Sequence, residues 1–464
     1  MPAPARVAAL AVLRAVSDAG GNLGDALTRA KGTLADERDR ALVSEIVLGT
    51  LRHRAALDYQ LSRRLSRPLA KIDADILDIL RLAAFQLLHL TRVPAAAAVN
   101  DAVAQARRAG KSSAAALVNA VLRRLARERD TLSWPPVPPT IVASADEQAL
   151  IHHLSVVHSH PDWLVARWLD RYGRRSTEAW LAFDNAPPAL TLAVNTSRAT
   201  PDDVVIRLRS EGVSSERTGT APAGLVVREG HALDTAVFRG GLVLVQDEAS
   251  QLIPLLVDAR PGDLTLDACA APGGKTVALA GGVAAGGAVI ATDVRARRMR
   301  VLAATLRRTG VTRAWPVQVS AGGPWPFGLE TFDRILVDAP CSGLGTIRRD
   351  PDIRWRRTAA DLPRFADAQV ALLERLAPLV APGGRLVYST CSSEPEENED
   401  VVNRFLASTV GFHIRPLRSL EHLPSAVAEM TTPRGFLRTL PYRDGLEAFF
   451  GAVLQRGEAT VVNP

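Results

Sequence analysis

The sequence predicts a multidomain chain with three folds in series: an all-α bundle at the N-terminus, a small α+β module in the middle, and a Rossmann-like α/β domain at the C-terminus. Three observations predict it. Apolar residues recur at three- and four-residue spacing through residues 1–130, the run SWPPVPPT at 133–140 breaks that pattern, and strands alternate with helices from residue 241 onward. A chain of 464 residues accommodates this, since ~150 residues per domain suggests about three domains. The boundaries fall at 1–132 for the bundle, 133–145 for a Pro-rich linker, 146–240 for the middle module and 241–458 for the α/β domain.

Taken in order, the N-terminal region shows its helical period at Leu10, Leu13 and Val16, and again at Ile76, Ile79, Leu82 and Phe85. The first twenty residues carry Arg6, Arg14 and Asp18 inside their apolar stretch, which is an amphipathic helix rather than a signal-peptide core. No uncharged apolar run reaches the ~18 residues of a membrane span, so no membrane partner is expected. The prolines at 135, 136, 138 and 139 cannot be helical and predict a stiff linker. In the middle module, residues 160–173 and 201–212 read as helices and 191–196 and 223–229 as strands, without recognisable chemistry. The α/β domain predicts strands at 263–269, 288–293, 314–320, 334–339, 385–391 and 447–454, in the rhythm of a parallel sheet.

Composition narrows the function. Hydrophobic residues at 47% and charged residues at 23% exclude a disordered or fibrous chain. Three cysteines cannot form a disulfide framework, which favours a reducing cytoplasm. Residues 1–140 hold 21 Lys+Arg against 13 Asp+Glu, a net +8, whereas the remainder hold 35 against 36, a net −1. A basic N-terminal module points to a polyanion, most simply nucleic acid, although a solubilising surface would look the same. Arg123, Arg124 and Arg127 cluster on one short helical stretch and are candidate phosphate contacts.

The chemistry concentrates after residue 266. DACAAPGGKT (267–276) joins the first α/β strand to a helix, where Pro272, Gly273 and Gly274 let backbone approach a ligand. A phosphate-binding P-loop would need Gly where Cys269 stands, and a G-x-G-x-x-G fingerprint is absent. A nucleoside-cofactor loop fits, from Cys269, Ala270 and Ala271 through Pro272, Gly273 and Gly274 to Lys275. Asp293, 20 residues after Gly273 at the end of the second strand, is placed to accept from ribose hydroxyls. VDAPCSGLG (337–345) and STCS (389–392) end neighbouring strands, so Cys341 and Cys391 share the carboxyl edge where ligands bind. A buried apolar role, a disulfide on oxidation and a functional thiol pair are the readings open to them. No His or third Cys lies at ligand spacing, so no metal is expected. Beyond Cys341, Arg348 and Arg349 are candidate RNA contacts, and Arg354 could likewise meet phosphate; Trp355 either stacks on a base or packs in a core. The acidic run from Glu394 to Asp400 reads as the start and cap of a helix.

DACAAPGGKT, VDAPCSGLGTIRRDPDIRW, YSTCSSEPEENE and VQDEASQL (245–252) resemble the motifs of RNA cytosine-C5 methyltransferases that use S-adenosylmethionine (SAM). RVPAAAAVNDAVAQAR and SSAAALVNAVLRRLARE resemble the NusB-like RNA-binding domain of the RsmB (Sun/Fmu) branch, so the resemblance covers nearly the whole chain. It implies a SAM-dependent enzyme forming 5-methylcytosine in 16S rRNA, working as a monomer in the cytoplasm. It implies Cys391 as the nucleophile toward C6, Cys341 as the group assisting adduct breakdown, and Asp338 as a hydrogen-bonding partner of the base that also faces the cofactor. It departs from the family after the third strand. Where an acidic residue usually stands near the adenine, QVSAGGPWP places Ser320, which can accept one hydrogen bond. A tRNA methyltransferase, or an inactive RNA-binding assembly factor, are the rival readings.

Overall fold

The computed structural model describes residues 2–19, 21–137 and 144–458, so positions 138–143 of the expected Pro-rich linker and the tail beyond 458 lie outside the described residues. The chain forms two compact units: unit 1 comprises Met1–Ala186 with Ile347–Arg357, and unit 2 comprises Pro187–Thr346 with Thr358–Pro464.

Unit 1 is helical. It contains α1 (Pro4–Ala19), α2 (Leu23–Gly32), α3 (Glu37–Arg52), α4 (Arg54–Ser62), α5 (Ala74–His89), α6 (Ala95–Arg108), α7 (Ala115–Glu128), α8 (Ser144–Val157) and α9 (Asp162–Asn185). Side-chain caps start several of them. Asn22 accepts from the Asp25 amide, Asp36 from Arg38, and Asp73 from Asp75 and Ile76, each satisfying a donor the helix leaves unpaired. The predicted apolar face is the core face: Leu10, Leu13, Val16, Ile76, Ile79, Leu82 and Phe85 are all buried together. The helix read at 160–173 extends to Asn185. Gly173 kinks it at φ 73° instead of ending it, and Trp168 and Trp180 stack across the kink with ring centroids 4.4 Å apart.

The short insert 347–357, which carries α15 (Ile353–Arg356), belongs to unit 1. Arg354 is fully buried there, and its guanidinium donates to Ser159 O at 2.9 Å, Asn185 Oδ1 at 3.0 Å and Asp184 O at 3.3 Å. Burial pulls Arg354 down to about 9 and pushes the Asp184 carboxyl up to about 7, the latter against the pull of Arg354, Arg348 and Arg52. Trp355 donates its indole N–H to Leu51 O at 2.8 Å under the Arg54 guanidinium. The expectation that Arg354 meets phosphate is therefore corrected, and Trp355 packs.

Unit 2 holds two sheets. The smaller is antiparallel, in the order β2 (Ser214–Arg217), β3 (Gly224–Glu229), β1 (Thr191–Val194), β4 (Val243–Val245), with α10 (Pro201–Ser210) and α11 (Ala236–Arg239) packed beside it. A Thr200/Asp203 capping box starts α10. The larger sheet contains β5 (Leu264–Asp267), β6 (Ala288–Asp293), β7 (Ala314–Gln318), β8 (Phe332–Asp338), β9 (Val380–Thr390), β10 (Phe412–Ile414) and β12 (Phe450–Arg456), in the order β10-β12-β9-β8-β5-β6-β7, with β11 (Leu437–Arg438) pairing β12. The unit also contains helices α12 (Glu248–Val257), α13 (Gly274–Gly282), α14 (Ala296–Thr309), α16 (Asp361–Leu376) and α17 (Glu399–Ser408), with the short α18 (Ser425–Glu429) and α19 (Pro441–Asp444).

Strands β5 to β9 are parallel, as the sequence rhythm predicts. The last predicted strand is not: β12 runs antiparallel to β9, so the sheet is mixed. An apolar run buried on both faces carries no sign of its direction, which is why the pattern could not reveal this. From β5 the chain steps to β6 and β7 on one side, then returns to β8 on the other. The β5/β8 boundary is thus the switch point at whose carboxyl edge ligands bind in such sheets.

Arg354→Met removes one half of a buried charged cluster and leaves Asp184 behind. The expected outcome is a loss of ~3–5 kcal/mol of unit 1 stability, read in urea titrations followed by tryptophan emission.

Candidate active site

The glycine loop occupies the first half of the switch point. β5 ends at Asp267, the chain turns through a cis Ala271–Pro272 peptide, and Gly273 caps α13 at φ 108°. A Cβ at Gly273 would meet Leu302 Cδ1 at 2.9 Å in a backbone region closed to L side chains, whereas one at Gly274 would meet only the Gln246 side chain at 3.2 Å. The loop borders a cavity of about 260 Å³ lined by Cys269 to Pro272, Gly274, Lys275, Gln246, Ser250, Asp267 and Asp338. Burial pushes the Cys269 thiol up, so it stays neutral. Asp267 was absent from the sequence-derived candidates although it opens the motif. It accepts from Thr276 Oγ1 at 2.7 Å through Oδ2, while its Oδ1 is buried without a hydrogen bond, and burial pushes the carboxyl up to about 7.

Asp293 sits at the end of β6, almost buried. Its Oδ1 accepts from the Arg295 amide at 3.0 Å and its Oδ2 lies 3.3 Å from Arg298 Nε. Ser320 is exposed two residues past edge strand β7. Neither residue lines the cavity beside the loop. SAM carries a sulfonium, an ammonium and ribose hydroxyls. The unpaired Asp267 oxygen, the Asp293 carboxylate and the open glycine loop are what such groups require, so the residues present fit it.

The second half of the switch point carries the thiols. Cys341 Sγ lies 3.3 Å from Cys391 Sγ, the two cysteines following β8 and β9 as expected. Asp338, the last residue of β8, accepts from Lys275 Nζ at 2.7 Å and from Ser389 Oγ at 2.9 Å. Lys275 also donates to Ser250 Oγ at 2.8 Å and sits 5.8 Å from the centre of the Phe449 ring. Burial alone would lower the Lys275 ammonium, but the Asp338 carboxylate, with smaller contributions from Cys391 and Asp267, reverses this and holds it above its ordinary value. The Cys341 thiol is raised well above the ordinary range by its contact with Cys391 and by burial. Gly345 is another close approach: its amide donates to Cys391 O at 2.9 Å, and a Cβ there would strike the Ala448 carbonyl.

The acidic run after Cys391 departs from expectation. Glu399 and Asp400 do begin α17, but Glu394 and Glu397 are fully buried. Glu397 accepts from the Ser342 amide at 2.8 Å and from Ser392 Oγ at 2.6 Å. A cap reading of this run missed it because only a contact across the sheet buries it.

The candidate RNA residues lie in unit 1. Arg123, Arg124 and Arg127 are exposed on α7, with Arg123 Nε on Asn119 Oδ1 at 3.0 Å and Arg124 Nε on Glu128 Oε1 at 2.8 Å. Arg348 is half-buried, its Nε on Ala186 O at 3.0 Å and its guanidinium 4.3 Å from the centre of the Phe183 ring. Arg349 is half-buried as well. Arg348 is thus engaged within unit 1.

The family model described as 16S rRNA methyltransferase RsmB/F matches residues 254–455, the NusB family model matches 3–127, and a ferredoxin-like domain model of RsmF/B methyltransferases matches 160–234. A probable ribosomal RNA small subunit methyltransferase B of Bacillus subtilis is 35% identical over 423 residues, covering 90% of this chain and 91% of that protein. A ribosomal RNA small subunit methyltransferase B of Pseudomonas putida is 36% identical over 410 residues, covering 88% and 89%. Among solved structures, PH0851 covers 98% of this chain and 99% of its own at 25% identity with a TM-score of 0.80. A methyltransferase homolog from Pyrococcus horikoshii covers 66% and 98% at 28% identity with a TM-score of 0.55.

Gly273→Ala forces a Cβ into a left-handed position against Leu302. The strain costs ~1–2 kcal/mol and should weaken SAM binding by about tenfold in calorimetry, whereas Gly274→Ala, which meets only a flexible side chain, should preserve the loop.

Proposed function

The chain belongs to the RsmB/F methyltransferase family, whose members use SAM, and from that membership we propose that it forms 5-methylcytosine in 16S rRNA through a covalent adduct between Cys391 and C6 of the target base. The observation that carries this reading is the thiol pair 3.3 Å apart beside the Lys275–Asp338 ion pair. C5 of cytosine is a poor nucleophile. Addition of a thiolate at C6 makes the ring an enamine, and its C5 then attacks an electrophilic carbon. SAM, when bound, supplies that carbon as a methyl group. Loss of the C5 proton and cleavage of the S–C6 bond then restore the ring.

The two thiols divide these tasks. Cys341 is held protonated by its neighbour and by burial, which suits a group that assists breakdown of the adduct and leaves Cys391 as the nucleophile. Asp338, with Lys275 and Ser389 already fixing its oxygens, retains lone pairs for the exocyclic amine of cytosine, and charge that builds on the ring is met by the Lys275 ammonium. Cys269 to Lys275, with Asp267, Asp293 and Ser320, hold the cofactor. In unit 1 the exposed arginines of α7 grip phosphates, consistent with the net +8 of residues 1–140.

Cys391→Ala should abolish methyl transfer to 16S rRNA fragments while SAM affinity stays within about twofold, and Cys341→Ala should accumulate an RNA-linked band that survives denaturing gels. Near wild-type turnover by the first variant would sink the reading. Bisulfite mapping of 16S rRNA from cells with and without the gene tests the substrate.

Reversing Arg123, Arg124 and Arg127 to Glu should raise the dissociation constant for RNA and lower the slope of its logarithm against log salt by about 2–3. Filter binding across a salt series that shows an unchanged slope removes α7 from the RNA surface.

A further inference from the structure

One buried carboxylate spans the chain after both cysteines. Glu397 is fully buried, and both of its oxygens are shared. Oε1 accepts from the Ser342 amide at 2.8 Å and from Gln369 Nε2 at 3.1 Å. Oε2 accepts from Ser342 Oγ at 2.5 Å and from Ser392 Oγ at 2.6 Å. Ser342 directly follows Cys341, and Ser392 directly follows Cys391. The two hydroxyls are themselves 3.2 Å apart. Gln369 also donates to Pro340 O at 3.0 Å, the residue before Cys341. The Tyr388 hydroxyl lies 2.6 Å from the Glu397 carbonyl and 3.0 Å from Gln369 Oε1; its one hydrogen goes to the nearer carbonyl, which ties the Glu397 backbone to β9.

We propose that Glu397 is a positioning residue for the thiol pair: its carboxylate sets the separation and mutual orientation of Cys341 and Cys391 by binding the residue after each. This rests on the roles given above to the two cysteines. A carboxylate is the side chain that offers about four acceptor sites and no donor, and here four donors from three residues use them. Hydrogen bonds to an ionised acceptor are the strong ones, so the spacing of the two loops is stiff. Adduct formation and adduct breakdown use both thiols on one base, and a displacement of about 1 Å in such a pair costs on the order of a hundredfold in rate. Glutamine keeps the shape of the side chain. The serine hydroxyls can turn to accept from its amide while its oxygen still takes the Ser342 N–H. Alanine keeps none of these bonds.

The test uses the full chain and two readouts. The first needs neither RNA nor SAM. Phenylarsine oxide bridges two neighbouring thiols, forming two As–S bonds while the arsenic oxygen leaves as water with both thiol protons. Wild type should bridge Cys341 and Cys391 rapidly, Glu397→Ala about tenfold or more slowly, and Glu397→Gln within about threefold of wild type. The second is turnover on 16S rRNA fragments. Glu397→Ala should lower kcat about tenfold or more while KM for SAM and RNA stays within about twofold, and glutamine should restore most of kcat. A bridging rate in Glu397→Ala equal to wild type overturns the proposal, even if turnover falls. Should that variant not accumulate as folded protein, Ser342→Ala and Ser392→Ala each remove one hydroxyl donor; slower bridging in both supports the proposal and unchanged bridging in both overturns it. If bridging slows as stated but Cys341→Ala traps no RNA, the positioning role stands and the cytosine-C5 reading falls.

Discussion

The pair between Lys275 Nζ and Asp338 Oδ2, 2.7 Å long, holds the switch point together. Lys275 stands in the first turn of α13, directly after the glycine loop, and Asp338 ends β8. Ser250 from α12 accepts from the same ammonium, and Ser389 from β9 donates to the same carboxylate. Four elements that are distant in sequence therefore meet on one ammonium and one carboxylate. A partly buried ion pair of this kind contributes little net stability, because both charges give up water. Its worth is geometric. It keeps a positive charge beside the thiols and makes the position of the glycine loop depend on the position of the carboxyl edge that carries the thiols.

Much of this was legible in the sequence, for an identifiable reason. The glycine loop, Asp293, Cys341 and Cys391 all sit at strand ends, and the period of an α/β domain marks strand ends well. The residues that escaped are those whose meaning is set by contacts across the sheet. Glu397 belongs to an acidic run that, taken locally, looks like helix-start chemistry. Only the return of the chain beside the Cys341 loop turns it into a buried acceptor. Asp267 was hidden in plain view, since an acid at the end of a strand looks like any solvated turn until its Oδ1 proves to be buried without a hydrogen bond.

The arginine-rich stretch after Cys341 shows what charge alone conceals. Arg348, Arg349 and Arg354 close to a catalytic motif invite a phosphate reading. Sequence charge does not distinguish a guanidinium that faces water from one that satisfies carbonyls. Arg354 is the extreme case, spending its donors on Ser159, Asn185 and Asp184. The arginines of α7 are the contrast: equally basic and exposed, on a helix whose other face holds Val118, Val121, Leu122 and Leu125 in the core. Position on an amphipathic helix therefore separated the two groups better than charge density did.

The insert 347–357 makes the chain cross between the two units more than once, leaving unit 2 after Thr346 and rejoining it at Thr358. The protein is consequently not a string of detachable modules. No single cut yields two complete units, because a fragment beginning after Ala186 retains α15 while lacking the helices that bury it. Such a fragment would present Ile353 and the Arg354 guanidinium to solvent in a loop that begins two residues past Gly345, whose amide donates to the Cys391 carbonyl. A fusion made at Ala186 alone would therefore leave the insert 347–357 without the helices it packs among.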